Sequence, residues 1–187
     1  MHARLRCKVS SDREELELLN LKHFWTPGRA ATRPSQESIR EKAQLMENAM
    51  LRYDNVGSYV LHRVFHLPAS SRGGFASNVM FVSEETLKSA RRTREERESG
   101  KKARLTVFND NLFPYQLPEQ TRHSVLWLLL DEDESDENNF ISDAEITDLL
   151  EKELASPEIQ YIWYRNPKPS VLDNVTYHVQ VFWTKSN

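Results

Sequence analysis

Two apolar strands in the second half of the chain limit the folds open to it. They are residues 124–130, Ser-Val-Leu-Trp-Leu-Leu-Leu, and residues 177–183, Tyr-His-Val-Gln-Val-Phe-Trp. Each follows an aromatic-Pro turn and carries a histidine at or near its start. Asn111-Leu112-Phe113-Pro114-Tyr115 precedes His123, and Trp163-Tyr164-Arg165-Asn166-Pro167 precedes His178. Segments this apolar fit the inside of a sheet whose two faces are both covered. Residues 105–108 and 159–164 read as two further strands. Between them, Ser142-x-x-Glu145 is a capping box, and Ile141 and Ile146 form its hydrophobic staple. The helix it starts buries Ile146, Leu149, Leu150 and Leu154 and stops at Ser156-Pro157. Strands joined by turns, with one helix on a face, predict a mainly antiparallel sheet.

The first half reads as helical. Residues 4–9 alternate in polarity and predict a short strand. Ser11-x-x-Glu14 predicts a helix from Asp12, with Leu16, Leu19 and His23 on one face and Pro27-Gly28 as its end. Ser35 caps a helix whose stripe is Ile39, Ala43, Met46, Met50 and Tyr53. After a break at residues 54–57, Ser58 caps a second helix through His66, with Val60, Leu61, Val64 and Phe65 inward. Residues 68–74 read as a loop and 78–82 as a strand. Ser83 then caps a charged helix from Glu84 to Glu98, closed by Gly100 and laced with oppositely charged pairs such as Glu84–Lys88 and Arg91–Glu95. Its apolar face is little more than Leu87 and Ala90, so it reads as a solvated arm or a crossover projecting from the body. Residues 131–139 form an acidic, solvated tip. The fold class is therefore α+β, a helical N-terminal half packed with a C-terminal sheet. Residues 1–34 read as an extension with a short helix and 35–187 as a single domain.

Composition narrows the function classes. The 187 residues carry 25 basic and 28 acidic side chains, a net charge of −3, which disfavours a general nucleic-acid binder. The single cysteine, Cys7, allows neither an intrachain disulfide nor a thiolate zinc site. No secretory signal stands at the start, and no run approaches the ~18 apolar residues of a membrane span. A cytoplasmic protein, away from the membrane and with no cofactor, is the expectation.

These motifs resemble a family that includes the fungal N-acetylglucosamine-induced proteins. The likeness rests on residues 111–115, His123 to Trp127, Trp163-Tyr164-Arg165-Asn166, Thr176-Tyr177-His178-Val179, and the helix–turn–helix of residues 51–60. It covers most of the chain from Ser35. Leu112 stands where the family pattern has Asp, and Thr176 where it has the first His of a pair. No activity is attached to that family, so the resemblance implies no chemistry. More distantly, the order of elements is similar to histidine-triad proteins, which act on nucleoside phosphates through a histidine on the last strand. That resemblance implies His178 as nucleophile, with Gln180 and His123 in support and Arg165, Asn166 and Ser170 steadying phosphate oxygens. Period-two spacing puts Thr176, His178 and Gln180 on one strand face. The plainer reading makes His178 a hydrogen-bonded core or edge residue.

Other candidates are weaker. His62-x-x-x-His66 has metal-ligand spacing on a helix but lacks a third ligand, and reads as a surface pair. The two aromatic-Pro loops suggest a pocket bordered by Asn111 and walled by Phe113, Tyr115, Trp163 and Tyr164, unless those rings staple the loops to the core. Three expectations follow. The first is a binding or interaction module for a small molecule, a phosphate-bearing one included, or for a protein partner. The second is a histidine-triad-like phosphate hydrolase or transferase. The third is an RNA-associated protein using the basic helical segment 84–104.

Overall fold

A computed structural model of the chain describes residues 6–7, 34–72, 79–95, 105–130, 141–165 and 175–185. It is an α+β structure with its helices mostly in the N-terminal half. The helices are α1 (Gln36–Met50), α2 (Val56–Arg63), α3 (Glu84–Glu95) and α4 (Asp143–Glu153). The strands are β1 (Arg6–Cys7), β2 (Ser70–Arg72), β3 (Val79–Phe81), β4 (Thr106–Asp110), β5 (Thr121–Leu129), β6 (Ile159–Arg165) and β7 (Thr176–Lys185). The main sheet runs β1-β6-β7-β5-β4, and β2 pairs with β3 in a separate ribbon. Every pairing in the main sheet is antiparallel except that of β1 with β6, which is parallel.

Alternation along β5 and β7 gives the sheet two different faces. Leu126, Leu128, Val179 and Val181 point to one face, where Ile146 and Leu150 of α4 and Leu154 at its C-cap close over them with Trp163. Full burial of side chains such as Ile146 and Leu150 stabilises the fold by roughly 2–3 kcal/mol each. Ser142 caps α4, its Oγ accepting from the Glu145 N–H at 3.1 Å, and Ile141 beside it is buried. On the opposite face stand His123, Val125, Trp127 and Leu129 of β5 beside His178, Gln180 and Phe182 of β7. There Val60 and Leu61 of α2, with Phe65 just past its end, join Leu87 of α3 and Leu129 in a second core.

Several details depart from the sequence reading. Ser35 does cap α1, accepting from the Ser38 N–H at 3.0 Å. The expected stripe, however, is largely open: Ala43 is exposed, as are Ile39 and Met50, while Ala49 is buried. The packed face is Lys42, Leu45, Met46 and Ala49, displaced roughly 60° around a helix of 3.6 residues per turn. The cap of α2 is Asn55, whose Oδ1 accepts from the Ser58 N–H at 2.8 Å. Ser58 is instead buried within α2, where its Oγ accepts from the Val82 N–H. The helix stops at Arg63. His66 takes a left-handed backbone (φ 56°), and Leu67 N–H returns to Leu61 O at 3.0 Å. Part of the segment read as a loop is β2, which pairs with β3. As far as Arg91, α3 is docked and not an arm: Leu87 is buried, and Arg91 Nε donates to Leu130 O at 3.0 Å. The expected helix at residues 12–26 and the acidic tip lie outside the described residues. No helix among the described residues is long and apolar enough to cross a membrane.

Candidate functional site

The second sheet face carries more polar side chains than a core needs. His123, His178 and Gln180 are all buried there. Asn111 joins them because the chain leaves β4 at its backbone, where Asn111 N–H donates to His123 O at 2.8 Å. Its Oδ1 then accepts from the Phe113 N–H at 2.9 Å, a local turn that fixes the side chain. Two residues on, the Tyr115 N–H donates to His123 Nδ1 at 3.1 Å.

These backbone donors fix the orientation of Asn111 and the tautomer of His123. Nδ1 of His123 accepts, so the ring proton sits on Nε2 and donates to Gln180 Oε1 at 2.7 Å. Asn111 Oδ1 accepts, so its NH2 donates to the same Gln180 oxygen at 3.2 Å. The 3.1 Å approach of Asn111 Nδ2 to His123 Nε2 is then two donors sharing one acceptor. Burial pushes the His123 pKa down to about 4, against a smaller upward pull from Gln180. His123 is therefore neutral near pH 7. Tyr115 and Phe182 pack edge-on against its ring at 4.7 and 4.5 Å. Tyr164 closes this cluster by donating its hydroxyl to that of Tyr115 at 3.1 Å. Burial, and then that bond, raise the Tyr164 pKa.

Beside the network lies a cleft of about 530 Å³ between the sheet and helices α1 and α2. Asn111, Gln180, His178 and Trp127 border it from the sheet, and Lys42, Tyr59 and Arg63 from the helices. His178 lies over Trp127 with ring centroids 4.6 Å apart and planes tilted by 34°. Burial lowers the pKa of Lys42. Burial raises that of Tyr59, Arg63 opposes the rise, and Tyr53 adds to it.

The structure brings together Asn111, Tyr115, His123, His178 and Gln180, but not as a pair of histidines. Strands β5 and β7 do pair, yet His123 faces Phe182 and His178 faces Trp127, and Gln180 stands between the two histidines. Arg165 and Trp163 belong to the other face. Arg165 forms an ion pair with Asp143 at 2.8 Å, donates to Tyr177 Oη at 2.9 Å and to Ile141 O, and lies over the Trp163 and Tyr177 rings. Burial works against its charge, but Asp143 and Tyr177 outweigh burial and hold its pKa above the ordinary value. Trp163 is fully buried under α4 and does not border the cleft. Asn166 and Ser170 lie outside the described residues.

His62 and His66 do not share a helical face, because α2 ends between them. His62 Nδ1 is hydrogen-bonded to Tyr53 Oη at 2.7 Å. Both histidines border a separate hollow of about 330 Å³. Among the described residues no group of three His, Cys, Asp or Glu side chains is placed to hold a metal.

The sequence reading missed the helical wall of the cleft. Lys42 was its one legible signal, a cation at a position otherwise spaced as part of the packed face with Leu45, Met46 and Ala49. Tyr59 and Arg63 carried no comparable mark.

No family model, curated protein or solved structure matches the chain.

Proposed function

We infer that this chain is a binding module that holds a small molecule in the cleft between α1, α2 and the sheet. The observation that carries this reading is the cleft beside Asn111, His123 and Gln180, a polar network locked by backbone donors. Its volume, about 530 Å³, is in the range of small-ligand sites. His178 and Gln180 at its border sit on the inner strand β7, which favours a defined ligand pose. Membership of the family that the motifs resemble would add no activity to this reading.

Thermal-shift screening against nucleotides, sugar nucleotides, inorganic phosphates and aromatic carboxylates tests it. A ligand at a hundred times its Kd adds about 2.7 kcal/mol of stability. The expected result is a hit that His178→Ala weakens. A folded protein that responds to no compound, or hits indifferent to substitutions around the cleft, would overturn it.

One observation favours a second reading, a histidine-triad-like phosphate hydrolase or transferase: His178 and Gln180 border the same cleft. Against it, both nitrogens of His123 are committed, and Arg165 is engaged across the sheet. Phosphate release from a nucleotide by the wild type, and not by His178→Ala, would decide for the enzyme.

A further inference from the structure

The geometry points to an anionic ligand with a planar body, whose charged end is read by the side-chain NH2 of Gln180. This deepens the small-molecule reading of the cleft and rests on it.

The backbone N–H groups of Phe113 and Tyr115 can only donate. They force Asn111 and His123 to turn donors toward Gln180, and both donors meet at its Oε1. Rotating the Gln180 amide by half a turn would set its NH2 against two donors and leave them unsatisfied in a buried place. Gln180 is therefore held with its oxygen inward. Its NH2 makes no hydrogen bond to the described residues, while the side chain, more than nine-tenths buried, borders the cleft. The polar group offered at the cleft floor is thus a donor, and the ligand atom that meets it must be an acceptor.

The charges around the cleft agree. Lys42 and Arg63 border it from the helices. Among the described residues the one acidic side chain at its border, Asp110, accepts from Ser124 Oγ at 3.1 Å, and Ser124 in turn accepts from Trp183 Nε1 on the α4 side of the sheet. The stacked Trp127 and His178 rings, with Tyr59 opposite, supply flat apolar surface for the rest of the ligand. Phosphate, sulfonate and carboxylate groups on a ring share the chemistry that fits, and Gln180 is the specificity-determining residue.

Two fluorescent probes with the same rings separate the possibilities. Anilinonaphthalene sulfonate carries the anion, and phenylnaphthylamine is its neutral counterpart. The wild type is expected to bind the sulfonate at least about tenfold more tightly, a difference of about 1.4 kcal/mol. Gln180→Glu, which replaces the donor with a negative oxygen, is expected to abolish that preference. Arg63→Glu lies on an exposed residue, so it tests the same preference in a chain whose core is intact. Equal or tighter binding of the neutral probe by the wild type would overturn the anion and leave the small-molecule site standing. A preference untouched by Gln180→Glu would overturn the role of Gln180. Failure of both probes to bind would count against the cleft itself.

Discussion

His123 Nε2 and Gln180 Oε1 meet at 2.7 Å on a diagonal between the neighbouring strands β5 and β7, because His123 is paired with Phe182 and Gln180 with Val125. The contact explains why two histidines on neighbouring strands make no catalytic pair. The residue between them consumes the only proton that a neutral His123 has to give.

The same contact makes acid stability informative. His123 has a pKa of about 4 in the fold, against 6.5 for a free side chain. Between those values the unfolded chain binds the proton and the folded chain does not, so stability rises with pH through this window. The contribution is complete above pH 6.5 and is lost as pH falls toward 4, an effect on the order of 3 kcal/mol. Urea unfolding of wild type and His123→Gln across that range should show the advantage of the wild type shrinking as pH falls. Parallel profiles would contradict a buried neutral His123.

Arg165 should matter to stability and not to the cleft. Arg165→Met removes the bonds to Asp143, Tyr177 and Ile141 and is expected to cost about 2 kcal/mol. Affinity for any cleft ligand should stay the same. Chemical denaturation and a binding titration on the same variant check both halves.

The phase of α1 can be tested with two substitutions. Ile39→Gln, at an exposed position, is expected to change stability by less than about 0.5 kcal/mol. Ala49→Leu, at a buried one, should cost roughly 1–3 kcal/mol through overpacking. The reverse order of effects would restore the face first read from the sequence.

On the α4 side, Leu150→Ala should cost about 3 kcal/mol, since the residue is fully buried against Leu126 and Trp163 in one cluster. Denaturant unfolding followed by circular dichroism, comparing the midpoints of wild type and variant, checks it.

These contrasts mark what the chain reveals before it folds. The sheet was legible because β5 and β7 are long and apolar, and α4 because Ser142, Glu145, Ile141 and Ile146 give one consistent local signal. The positions of Asn111, His123, His178 and Gln180 were noticed, but their partners were not. Register decides those, and a shift of two residues would keep every side chain on its face while changing each neighbour. Arg165 was misread for another reason. A guanidinium in an aromatic-Pro motif suits phosphate and carboxylate equally, and only its strand parity sends it to Asp143. The phase of α1 failed because Lys42 occupies the packed face and Ile39 does not, the reverse of what hydropathy expects.

The central test uses three tryptophans that the sheet separates. Trp127 borders the cleft, whereas Trp163 and Trp183 belong to the α4 side. Anilinonaphthalene sulfonate titrated into isotope-labelled protein should shift the Trp127 indole resonance and the Gln180 side-chain NH2, and leave Trp163 and Trp183 in place. Shifts confined to Trp163 and Trp183, or a saturable binding curve in which Trp127 and Gln180 do not move, would contradict the cleft as the binding site.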